Sequence, residues 1–164
     1  MKKERGFSLI ELLIVVAIIG IIAAIAIPNL LKSRQAANEA SAIGSTRTVG
    51  TAQATYQSTR GKGKDFCADL TSLAGDNAID SALGTGAKSG YNFVCTGVAA
   101  VTGGLPSYFD TISKPQSSGT FGTGNRAFYS NETYVIYQDG DGTGTFTTSA
   151  TSRKPSDTGV SVIE

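Results

Sequence analysis

The sequence predicts an α+β fold: a long N-terminal α-helix, transmembrane in its first half, packed on a small antiparallel β-sheet. Three observations carry this. From Phe7 to Leu31 the chain is almost wholly apolar, interrupted only by Ser8, Glu11, Gly20, Pro28 and Asn29. From Asn29 to about Arg60 it turns polar but keeps helix-forming residues. After Arg60 glycines gather, and short aromatic and β-branched runs recur between turn residues, as strands of a small sheet would.

The apolar run meets the length of about 20 residues that a helix needs to cross a bilayer. Lys2, Lys3, Glu4 and Arg5 form a mostly basic head before it, which places the head on the cytoplasmic side and the rest of the chain outside. A cleaved secretory signal would have an apolar region of roughly 7–15 residues ending in an A-x-A-like site. Here the run is longer, and Ala23, Ala24 and Ala26 lead into Pro28 and a helical pattern. An ordinary signal anchor fits the length but gives no reason for Glu11. A charge inside a membrane segment costs about 2.5–3.5 kcal/mol on insertion scales, so Glu11 calls for a partner.

The segment from Gly6 to Glu11, G-F-S-L-I-E, followed by a long apolar run and Pro28, resembles the N-terminus of a type IV pilin or a related pseudopilin. The match is close from Arg5 to about Arg34 and only general beyond about residue 60. The resemblance implies that a dedicated membrane peptidase removes residues 1–6 by cutting between Gly6 and Phe7, and that the new Phe7 amine is methylated. It implies that the apolar helix serves first as an inner-membrane anchor and then as the core of a helical filament. Glu11 lies one helical turn from Phe7, on the same face. By resemblance, its carboxylate meets the Phe7 amine of a neighbouring subunit and sets that subunit's register. Pairing within its own chain, or a protonated Glu11, are the alternatives.

Gly20 and Pro28 interrupt the helical run. Glycine weakens a helix interior by roughly 1 kcal/mol, and proline removes a backbone hydrogen bond and kinks. Membrane helices tolerate both; the sharper reading is a segment, Gly20–Pro28, poised to extend when the subunit leaves the bilayer. Between Asn29 and Arg60 two thin apolar rows appear, Ala36, Ala40, Ile43 and Ala54 on one side and Ala42, Val49, Ala52 and Tyr56 on the other. An ordinary surface helix has one stripe; two suit a helix packed both on its own head and on neighbouring subunits. Gly44 and Gly50 would allow close approach of another backbone. Gly61 to Lys64 end the helix.

Residues 61–164 then form a globular head with a small core. Residues 65–90 read as a loop with one short helical turn at Cys67–Ala74. Cys67 and Cys95 are the only cysteines. Outside the cytoplasmic membrane oxidation is permitted, and a disulfide between them would close a loop of about 29 residues and stabilise the head by roughly 3–4 kcal/mol on the chain-entropy model; two free thiols are the alternative. The best-known pilins carry their disulfide nearer the C-terminus, so no adhesive loop is carried over from them. Strand signals follow at Tyr91–Thr96, Tyr108–Ser113, Ala127–Tyr129, Thr133–Tyr137 and Phe146–Thr148, with a loop over Pro115–Gly124. Asp139-Gly-Asp141-Gly resembles the start of a calcium loop, but the full pattern with a terminal Glu is absent, and Asp and Gly are what a tight turn requires. The reading is a turn, with Asp139 and Asp141 the candidates for a metal were one bound. Asn131-Glu132-Thr133 matches a glycosylation sequon, and the tail from Thr143 to Ser156 is rich in Ser and Thr.

The chain has no His, and its formal net charge is +1. Lack of His removes Ser-His and Cys-His nucleophilic chemistry, and the charge argues against specific nucleic-acid binding. An anchored enzyme would also gain nothing from the Gly6-Phe7 junction or Glu11. The reading is a structural subunit, not an enzyme, with no cofactor: a major pilin of an adhesive or motility filament. A minor pilin and a pseudopilin of a type II secretion system are the alternatives. Its implied partners are further copies of itself, the inner membrane, the prepilin peptidase and N-methylase, and an assembly platform with its ATPase. Its implied location is the inner membrane as precursor and then a pilus on the bacterial surface.

Overall fold

The computed structural model describes residues 7–102, 104–148 and 153–163. One helix dominates: α1 runs unbroken from Leu9 to Thr59. Its apolar half continues through Gly20 and Pro28 without a stop. Pro28 has no N–H to give, which frees a carbonyl one turn back; beside this gap Asn29 Nδ2 donates to Ile25 O at 3.1 Å. In the polar half, threonines that would otherwise compete with the helix bond back to it. Thr48, Thr51 and Thr55 each donate to the carbonyl four residues earlier, at 3.0–3.1 Å.

After α1 come two short helices, α2 (Leu70–Gly75) and α3 (Ser81–Gly84). Each starts at an aspartate whose carboxylate accepts a backbone amide: Asp69 from Ser72 N at 2.7 Å and Asp80 from Leu83 N at 2.9 Å. The single helical turn expected at Cys67–Ala74 is thus α2, starting three residues later at Leu70, behind its Asp69 cap; α3 has no counterpart in the sequence reading.

Six strands follow: β1 (Ala87–Lys88), β2 (Tyr91–Val98), β3 (Tyr108–Pro115), β4 (Ala127–Asn131), β5 (Ile136–Asp139) and β6 (Val160–Val162). They form one sheet in the order β1-β2-β3-β4-β5-β6, each neighbour antiparallel. This is a meander, with α1 against β4, β3 and β2. Along β2, buried Tyr91, Phe93 and Cys95 alternate with exposed Asn92, Val94 and Thr96, as a sheet with one covered face requires.

Two strand expectations shift. The fourth, Thr133–Tyr137, begins only at Ile136, because Glu132 and Thr133 are taken by the turn after Asn131; Asn131 Oδ1 accepts from Thr133 N at 3.0 Å. The last, Phe146–Thr148, is not a strand. Phe146 instead stacks on Tyr129, with ring centroids 5.3 Å apart, and β5's free edge is taken by β6 near the C-terminus.

The core lies between the polar half of α1 and the sheet. Its side chains include Ala42, Val49 and Ala52 from the helix, Leu70, Leu73 and Leu83 from the short helices, and Tyr91, Phe93, Phe109 and Phe128 from the sheet. Gly50 lets the Tyr134 ring lie close on α1: a Cβ there would stand 3.3 Å from it. Gly61 turns the chain after α1, where a Cβ would lie 1.9 Å from Asp65 O.

Candidate functional site

The two halves of α1 have opposite fates. All fifteen large apolar side chains from Phe7 to Leu30 are exposed. At about 1.5–3 kcal/mol each on burial, covering them is worth on the order of 20–40 kcal/mol. Nothing among the described residues covers them, so the apolar half needs lipid or other helices. It is also long and apolar enough to cross a membrane.

Glu11 lies in its first turn. Its Oε2 accepts from Ser8 N at 2.9 Å, so the carboxylate folds back toward the N-terminus and caps the helix. That places it one residue from the Phe7 amine that cleavage would create. Gly6 lies outside the described residues. Gly20 sits on an open face, where an added Cβ would meet nothing within 4 Å, and Pro28 lies in the same exposed stretch.

The polar half of α1 holds the head through residues at alternating spacings of four and three: Gln35, Glu39, Ala42, Thr46, Val49 and Gln53, all buried. All four polar ones make long-range bonds; Thr46 Oγ1 lies 3.2 Å from Ser113 Oγ on β3. Glu39, 8% exposed, accepts from Asn125 N at 2.9 Å, from Arg126 N at 3.3 Å and from Arg126 Nε at 2.8 Å, and pairs with the Arg126 guanidinium at 2.7 Å. Gln35 Nε2 donates to Gly119 O and Gly122 O. Gln53 grips the cysteine region: its Oε1 accepts from Cys67 N at 2.8 Å, and its Nε2 donates to Cys67 O at 2.9 Å and approaches Cys95 Sγ at 3.2 Å. Of the two predicted apolar rows, Ala42, Val49 and Ala52 are buried and Tyr56 is half-buried; on the other row Ala36 and Ala40 are exposed and Ile43 and Ala54 half-buried.

The expected disulfide is absent from this structure. Cys67 and Cys95 are buried free thiols. Cys67 Sγ lies 3.5 Å from Asp69 O, at the start of α2, and Cys95 Sγ lies 3.2 Å from Gln53 Nε2 and 3.4 Å from Thr111 Oγ1. Burial raises the pKa of both thiols.

At the far edge Arg153 ties the C-terminal segment to the sheet. It pairs with Asp110 and Glu132, both at 2.6 Å, donates to Phe109 O at 3.0 Å, and stands 4.3 Å from the Tyr108 ring centre. Burial alone would lower its pKa, but the bonds to Glu132 and Asp110 outweigh that and raise it. Asn131 is fully buried, and its Nδ2 donates to Tyr129 Oη and Arg153 O. The sequon nitrogen is therefore inside the folded head and closed to a glycan. Asp139 and Asp141 form a turn. Asp139 accepts from Asp141 N, Thr143 Oγ1 and Gly144 N, and Asp141 accepts from Thr143 N. Among the described residues no group of three or more His, Cys, Asp or Glu is placed to hold a metal ion.

An uncovered apolar half-helix, an acidic residue in its first turn and a meander head fixed to the other half define a membrane-anchored subunit built to pack helix on helix. The comparisons with known proteins agree with this class. The family model for the prokaryotic N-terminal methylation motif matches residues 1–27, which include Gly6, Phe7 and Glu11. The type IV major fimbrial protein FimA of Dichelobacter nodosus is 32% identical over 148 residues, covering 88% of each chain. The type IV major pilin protein PilA of Myxococcus xanthus is 44% identical over 68 residues, 42% of this chain and 31% of that protein. A type II secretion system core protein G of Vibrio cholerae is 42% identical over 43 residues, 26% of this chain and 30% of that protein. No solved structure matches the chain. The chain belongs to the type IV pilin family.

Sequence reasoning missed Gln35, Glu39, Gln53, Arg126 and Arg153. A signal for the first three was present: they continue the spacing of Ala42 and Val49, but a search for apolar residues alone passes over a stripe that is half polar.

Proposed function

We propose that this chain is the major structural subunit of a type IV pilus, drawn from an inner-membrane pool into a helical surface filament that serves adhesion or motility. The observation that carries the reading is the uncovered half of α1. The head is fixed to the polar half of α1, from Gln35 onward, so 7–31 is left to sit in lipid first and against other α1 helices later. The similarity to FimA over 88% of both chains supports a fimbrial subunit, whereas the similarity to the secretion protein covers only 26% of this chain.

Processing removes residues 1–6 between Gly6 and Phe7, and N-methylation of the Phe7 amine follows. A prepilin peptidase with N-methylase activity performs both steps, and an assembly platform driven by a cytoplasmic ATPase lifts subunits out of the membrane. Glu11, freed from Ser8, exchanges its own helix's amide for the Phe7 amine of a neighbour. In an apolar core each charge alone is costly and the pair is favoured. Gly20 and Pro28 provide the segment that extends when α1 leaves the bilayer.

The test is Glu11→Ala. A polar pair of this kind is worth about 1–2 kcal/mol between membrane helices, roughly tenfold per subunit addition. The variant should insert and be processed yet yield few filaments by electron microscopy of sheared cells. A normal filament yield removes Glu11 from assembly.

A further inference from the structure

The loop between β3 and β4 descends α1 toward the apolar span. Glu39 holds Asn125 N and Arg126 N, Asn38 Nδ2 donates to Thr123 O at 2.8 Å, and Gln35 Nε2 donates to Gly122 O at 3.1 Å and Gly119 O at 2.7 Å. As the loop is followed back from Arg126, its helix partners step toward the N-terminus. The two carbonyls on Gln35 flank Phe121, so Phe121 lies at the turn of the loop nearest the span, and it is 81% exposed. Leu31, one turn below Gln35 on the same face, is the first side chain after Ala23 to be partly covered.

The position of this loop relative to a bilayer follows from helix geometry. Gln35 lies about 6 Å beyond Leu31 along the axis at 1.5 Å per residue. The polar layer on each side of the hydrocarbon is about 5–7 Å thick. With Leu31 at the hydrocarbon edge, the Gln35 level falls among the headgroups, where aromatic rings are favoured. Lys32 and Arg34 are exposed at the same level, with cationic groups suited to lipid phosphates. Three helix side chains fasten the loop, so its level is set by the fold.

We propose that the 117–123 loop is a lipid-interface anchor, with the Phe121 ring entering the outer headgroup layer of the bilayer that stores the subunit and Lys32 and Arg34 binding lipid phosphates. The inference rests on reading α1 as a membrane span. It assigns the loop a role before assembly: fixing the height and tilt of the head above the membrane.

The chain has no Trp, so single-Trp variants report cleanly. The processed full chain carrying Phe121→Trp is placed in nanodiscs of phosphatidylethanolamine and phosphatidylglycerol brominated at shallow or deep acyl positions. Ile19→Trp, in the middle of the span, is the reference. Tryptophan favours the membrane interface, so the anchor predicts blue-shifted F121W emission that shallow bromines quench and deep ones hardly affect; I19W shows the reverse. Adding Gln35→Ala to F121W should weaken the shallow quenching, while I19W with the same change keeps its deep quenching. Quenched I19W beside water-like F121W overturns the anchor but leaves the span intact. Unquenched I19W overturns the span reading, and the anchor with it. F121W shielded only in assembled filaments overturns the lipid assignment in favour of a neighbouring subunit.

Discussion

Replacing Glu39 by alanine should destabilise the head and release one loop before the rest. The carboxylate takes two backbone amides, Asn125 N and Arg126 N, and two nitrogens of one guanidinium. Hydrogen bonds to a charged group contribute about 1.5–3 kcal/mol, and a buried donor left unmade costs about 1–3 kcal/mol. Water reaches part of this site, since the Arg126 side chain is 41% exposed, and Arg126 keeps Gln138 Oε1 at 2.7 Å. Solvent screening therefore lowers the ion-pair share, and a net loss of about 2–3 kcal/mol is expected. For a domain of this size that is a fall in Tm of roughly 8–15 °C. The assay is thermal unfolding of the processed chain in detergent, followed by near-ultraviolet tyrosine dichroism, with amide exchange read at 116–126. Glu39→Gln keeps an acceptor for the amides and should lose less than half as much. A shift below about 2 °C for E39A, or faster exchange in β2 and β3 without faster exchange in 116–126, would refute the clamp.

Three further outcomes follow. Gly6→Asp should leave the leader uncut in cells, read by mass spectrometry of the N-terminal peptide; a processed Phe7 in that variant removes the peptidase assignment. Native protein should resist alkylation at Cys67 and Cys95, while unfolded, unreduced protein should take a label on each; no label without a reductant would show that the two are joined after all. Alkali should unfold the head. Burial raises the pKa of both thiols and of the Tyr91 and Tyr129 hydroxyls, with Tyr129's bond to Asp110 adding to its rise. Groups raised in the fold favour the folded state fully below their unfolded pKa values, about 8.5 and 10, and that contribution is lost as pH climbs toward the folded values. Each proton then costs about 1.4 kcal/mol per pH unit. Urea midpoints that stay flat from pH 8 to 11 would contradict this.

The apolar helix and the N-terminal motif were legible because a long apolar run reads as one helix and the residues from Arg5 to Pro28 form a specific pattern. The sheet was legible where burial alternates, as at Tyr91, Phe93 and Cys95. The head's attachment to α1 was not. Gln35, Glu39 and Gln53 lie on the buried stripe, but a polar residue becomes a core residue only when its partners arrive, and those partners are 14 to 87 residues away in sequence. The last strand was misplaced for a related reason. Phe146 has strand-forming character, but a ring stacked on Tyr129 satisfies it equally well, and the open edge of β5 went to Val160–Val162.

The central claim, that this chain is processed at Phe7 and packs its apolar half-helix into a filament, is tested most directly on material sheared from cells. Electron microscopy of that fraction is combined with mass spectrometry of the N-terminal peptide. The account predicts long filaments made of this chain, each subunit beginning at an N-methylated Phe7. A chain that still begins at Met1, or one cut at Phe7 but confined to the cell envelope with no filaments, would contradict it.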